Sequence, residues 1–103
     1  MSSYAVLWSE PLHDLEAGKL ELGPGSLRFE GSRGPRGSRV HRVYYDDIAG
    51  VRVGHQPRDR LRGRPALVLD LATGGSLRIG SVDGVGTIGE LADELTRLSG
   101  RGG

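Results

Sequence analysis

The chain has no cysteine among its 103 residues. Disulfides, thiolate catalysis and cysteine-ligated zinc are therefore excluded together. Lysine is nearly absent as well, with Lys19 alone against thirteen arginines. Aromatic residues are few: Trp8, Phe29 and three tyrosines, too sparse for the stacking platforms that single-stranded nucleic acid needs, so nucleic acid is not an expected partner. No apolar run approaches the length of a membrane span, and the opening Met1-Ser2-Ser3-Tyr4-Ala5-Val6-Leu7-Trp8 has no basic stretch before its short apolar run. It lacks the layout of a signal peptide, and the expectation is a soluble, cytoplasmic protein.

What is present is enough for one hydrophobic core and too little for two. The expected domain covers residues 1–100, with a disordered tail at 101–103. The net charge of +1 conceals a concentration of one sign. Residues 31–64 hold nine arginines against Asp46, Asp47 and Asp59, a local charge of +6. An anionic partner would be drawn there.

Up to about residue 80 the apolar period is two. Leu20 and Leu22 alternate with polar neighbours, as do Leu27 and Phe29, and Gly23-Pro24-Gly25 between them reads as a hairpin turn. Val40 to Tyr45 is rich in β-branched and aromatic residues, Asp46-Asp47 reads as a turn, and Ala49, Val51 and Val53 alternate again. Leu67, Leu69 and Leu71 then face Leu77 and Ile79 across Thr73-Gly74-Gly75-Ser76, residues suited to a tight turn. With Tyr4 to Trp8 added, seven short strands are expected.

From Asp83 the period changes. Val85, Ile88, Leu91, Ala92, Leu95 and Leu98 recur at spacings of three and four, the stripe of one amphipathic helix. Thr87 and Glu90 have capping-box spacing, Asp83 is an alternative cap, and Gly100 is suited to stop the helix after Ser99. The fold class is mainly β with one C-terminal helix, a seven-stranded antiparallel, partly open β-barrel capped by that helix.

Gly18-Lys19-Leu20-Glu21-Leu22, Leu27-Arg28-Phe29, Val43 to Val51, Ala66 to Leu69 and the helix together resemble bacterial pleckstrin-homology-like (PH-like) domains over residues 18–99. The resemblance implies a binding module and no particular ligand. In the lipid-binding members, lysine and arginine lie in the loop between the first two strands and on the second strand. Here that loop is Gly23-Pro24-Gly25, with only Lys19 and Arg28 beside it.

Several motifs carry weaker chemistry. Gly84 to Gly89 matches Gly-x-Gly-x-x-Gly, but only fourteen residues follow it, too few for the second strand and distal acidic residue of a dinucleotide site. His13, His41 and His55 lack the short spacings of metal ligands, and no nucleophile elbow occurs. No catalytic residue, metal or cofactor is expected. Arg33, Arg36 and Arg39, in an arginine-rich loop at 31–42, and Arg58, Arg60, Arg62 and Arg64, in one at 55–65, form a candidate anion site for lipid head groups or phosphorylated partners. The alternative for both loops is solvated charge lying outside the domain. Tyr4 and Trp8 are either exposed anchors for a protein partner or a second copy, or interior residues. A protein-interaction module that pairs with a partner or with a second copy of itself through a sheet edge is the first functional expectation and anion recognition the second.

Overall fold

The structure, a computed structural model, describes residues 2–10, 15–31, 40–82 and 85–100. Seven strands run β1 Ser2–Ser9, β2 Glu16–Leu22, β3 Ser26–Gly31, β4 Val40–Tyr44, β5 Ile48–Gly54, β6 Ala66–Leu71 and β7 Ser76–Ser81, followed by the helix α1, Val85–Ser99. They form a single sheet in the order β4-β3-β2-β1-β7-β6-β5, every neighbour antiparallel. β1 is the shared strand. It pairs with β2 from Ser2 to Trp8 and with β7 from Val6 to Ser9, so the sheet curls about it into a half-barrel. The expected seven strands and terminal helix are all present.

Alternation decides which face goes inside. Trp8 lies opposite Glu16 and Ile79, Leu20 opposite Phe29, Leu67 opposite Ile79, and Leu69 opposite Leu77. Cross-strand partners share a face, which gathers Val6, Trp8, Leu20, Leu22, Leu27, Phe29, Leu67, Leu69, Leu77 and Ile79 into one buried cluster. At Gly18 two strands come so close that a Cβ would overlap the Glu30 carbonyl and the Gly31 Cα. Only glycine permits the tight coil at that crossing.

The helix turns Ile88, Leu91 and Leu95 onto this cluster, with Ala92 and Leu98 at its margin, and packs on β5, β6 and β7. It begins at Val85, two residues before Thr87. Thr87 therefore lies inside the helix and does not cap it, and the alternative cap, Asp83, is outside the described residues. Gly100 has φ 69° and its N–H donates to the Thr96 carbonyl at 3.0 Å, the expected stop. On the exposed side, Arg97 beside Glu94 (2.6 Å) holds that carboxyl below its ordinary range by a hydrogen bond and by its charge.

β4 ends one residue earlier than its composition suggested. Tyr45 opens a 3-10 turn, Tyr45–Asp47, that leads to β5. Its ring is buried, and its hydroxyl donates to the Gly23 carbonyl at 2.7 Å. Burial pushes the phenol up, and the nearby Glu94 adds to the shift. Asp46 and Asp47 are exposed within the turn.

Candidate functional site

The connection between β5 and β6 is built, where the sequence suggested a loop lying outside the domain. Arg62 (φ 51°) and Gly63 (φ 78°) both occupy the left-handed region, the requirement of a two-residue type I′ turn. Leu61 and Arg64 exchange both backbone hydrogen bonds across it, at 2.9 and 3.0 Å. This small hairpin folds Leu61 back onto Leu7 and Ala66, a second apolar cluster apart from the barrel interior.

Charged side chains hold the rest of the connection. Arg78 on β7 donates to the Arg58 carbonyl at 2.9 Å, to the Arg60 carbonyl at 3.4 Å and to Ser9 Oγ at 3.2 Å. Arg52 reaches the buried Asp59 at 3.3 Å and Asp70 at 3.8 Å. Arg60 Nε donates to the His55 carbonyl at 2.9 Å. Arg58, Arg60, Arg62 and Arg64 are all exposed, and none of the four has a carboxylate partner among the described residues. Arg33, Arg36 and Arg39 lie outside the described residues.

Beneath the hairpin is a cavity of about 290 Å³. Leu7, Leu61, Pro65, Gly80 and Val82 contribute its apolar lining, and Arg62 and Arg64 stand beside them. No sequence signal announced it, because it depends on one leucine in an arginine-rich stretch meeting the outward-facing Leu7.

Trp8 takes the interior of the two placements left open by the sequence. It is 1% exposed and stacks on Phe29, with ring centroids 4.9 Å apart and planes at 13°. It is thereby removed as an exposed anchor. Tyr4 is half-buried at the core margin. Trp8 also stacks on His41 at 5.6 Å. His41 lies between Glu10, 3.6 Å from Nδ1, and the buried Glu16, 3.7 Å from Nε2. This cluster was missed, yet parity carried the signal: Glu16 is four residues before Leu20 on the same strand and so shares its inward face. Among the described residues no group of histidine, aspartate and glutamate is placed to hold a metal ion. Gly86 and Gly89 of the glycine motif are inside α1, so from Val85 onward the motif forms helix and no phosphate loop.

The sheet has two edges. α1 packs on β5 at one of them, whereas β4, at the other, is paired among the described residues with β3 alone. The outward residues of β4 include Val40, 50% exposed, and Tyr44, 54% exposed.

No family model matches the chain, and no curated protein matches it. Among solved structures, the crystal structure of the C-terminal domain of an unknown protein from Leishmania infantum is similar, with a TM-score of 0.76 at 14% identity over 98% of this chain and 84% of that one. The likeness is one of fold. The seven-stranded half-barrel with its C-terminal helix fits a PH-like fold. On that frame, among the described residues, chemistry gathers at β4, at the β5–β6 connection and at the Trp8–His41 end. No helix among the described residues is long and apolar enough to cross a membrane.

Proposed function

We propose that the chain is a non-enzymatic protein-interaction module of PH-like type, working in the cytoplasm, whose β4 edge receives an extended segment from a protein partner or from a second copy of itself. The observation that carries this reading is the composition of that edge. An edge strand offers unpaired backbone groups to an incoming strand, and proteins ordinarily blunt such edges with charge, proline or a bulge. β4 instead presents Val40 and Tyr44 on either side of the single charge of Arg42. These two side chains would flank an added strand and supply the apolar contact that backbone pairing lacks.

The test compares the wild-type chain with Val40→Lys/Tyr44→Lys. Both positions are exposed, so the variant is expected to fold. Sedimentation velocity across a concentration series should show self-association of the wild type alone. If the partner is another protein, capture from native lysate should recover a protein that survives added salt and is lost with the variant. A monomeric wild type that captures nothing the variant loses refutes the reading.

A second reading has its own support, since Arg58, Arg60, Arg62 and Arg64 are exposed cations without carboxylate partners among the described residues. It is recognition of lipid head groups or phosphorylated partners through the arginine-rich loops. Binding to anionic vesicles or phosphate ligands that disappears at high ionic strength, and on Arg58→Ala/Arg60→Ala, would favour it.

A further inference from the structure

We propose that the cavity beneath the Leu61–Arg64 hairpin binds an acidic peptide segment that inserts one large apolar side chain, at a surface separate from β4. Size sets the first limit. Pockets for small molecules run from about 300 to 1,000 Å³, so about 290 Å³ is at the bottom of that range and holds a side chain better than a cofactor.

Lining sets the second limit. Leu7, Leu61, Pro65 and Val82 give the floor an apolar character. A compact anion such as phosphate would leave that surface without a partner, whereas an apolar side chain covers it. The rim sets the third. Arg62 and Arg64 have no carboxylate partner among the described residues, while Arg28 and Arg52 are each paired with two and Arg97 with one. The left-handed turn holds Arg62 and its neighbour at the opening. Carboxylates flanking the inserted side chain complement them.

The surface also provides a track for the rest of a segment. Val82, 49% exposed, lines both the cavity and a shallow groove that continues past Ala5 and Ala17 to Lys19, with Glu30 on its far side, where an acidic segment would turn away. That path crosses β1 and β2 on the outer face of the sheet.

The experiment is an amide proton–nitrogen NMR titration of the full chain with three synthetic peptides. These are blocked Glu-Asp-Phe-Glu-Asp, the same peptide with alanine at the centre, and Lys-Lys-Phe-Lys-Lys. The acidic phenylalanine peptide should shift the amides of Leu7, Leu61 and Val82 saturably. The alanine peptide should bind about tenfold or more weakly, from the lost apolar burial. Arg62→Glu/Arg64→Glu, both exposed positions, should weaken binding about tenfold, and Arg62→Lys/Arg64→Lys should retain most of it. No saturable shift at these amides, equal binding of the basic peptide, or indifference to the central residue would each overturn the proposal. So would binding to phosphatidylserine vesicles through Arg62 and Arg64 without a peptide response. Shifts confined to Val40–Tyr44 overturn it too, but leave the β4 reading intact.

Discussion

Replacing Leu95 by alanine tests whether α1 closes the half-barrel. Leu95 is 0% exposed and belongs to the interior cluster with Trp8. The change removes three carbon groups, worth about 2.4 kcal/mol at about 0.8 kcal/mol each. The void left between helix and sheet raises the loss to about 3–5 kcal/mol. For a domain of this length the whole stability is about 5–15 kcal/mol, so the melting temperature should drop by about 12 °C or more. Leu61→Ala is the control. Leu61 belongs to the small cluster with Leu7 and Ala66, beside a cavity that already exists, so its loss should stay near the transfer value alone, about 2.4 kcal/mol. Urea unfolding followed by far-ultraviolet circular dichroism and by the emission of Trp8, the single tryptophan, reads both. The two signals should coincide in each variant, as expected of one cooperative unit. Equal losses for the two variants, or a helical signal in Leu95→Ala that melts while Trp8 emission stays native, would refute a sealing role for the helix.

Two further outcomes follow from single side chains. The folded chain holds the Tyr45 phenolic proton more tightly than the unfolded chain does, so this contribution to stability is complete below about pH 10 and is lost as pH rises through the folded-state value. Urea midpoints measured on both sides of pH 10 should fall more steeply for the wild type than for Tyr45→Phe, which at neutral pH costs about 0.5–1.5 kcal/mol through the lost bond to Gly23. Arg78→Ala should free the β5–β6 connection, because the donations to the Arg58 and Arg60 carbonyls disappear. Trypsin cleavage after Arg58, Arg60 and Arg62 should then accelerate about tenfold or more, with little change in the global unfolding midpoint.

Most of the frame was legible because alternation and helical spacing are local. Leu20 with Leu22, Leu27 with Phe29, and Ile88 with Leu91 and Leu95 declared their elements by spacing, and all of them face the core. Gly100 and the turn at Thr73–Ser76 were legible because few residues adopt the required φ; Gly74 has φ 105°. The sites were less so. Thr87 and Glu90 had the spacing of a cap, but the helix begins at Val85 and leaves Thr87 within its first turn. Arg58 to Arg64 read as a candidate anion site or as solvated charge, since nothing in the local pattern says that Leu61 will meet Leu7 or that Asp59 will be buried. Trp8 was ambiguous for the same reason: its inward placement depends on β7, about two thirds of the chain away.

That long-range pairing also governs how fast the molecule can form. Trp8 meets Ile79 across the β1–β7 ladder, so the first strand waits for the last before the curl can close. Closing so large a loop is costly before any contact returns the loss, and topologies with this contact order fold in about milliseconds to seconds. During synthesis β1 therefore spends its early life unpaired on one side, and the slowest folding step should be sensitive to substitutions near Trp8 and Ile79 far more than to any change in the β2–β3 hairpin.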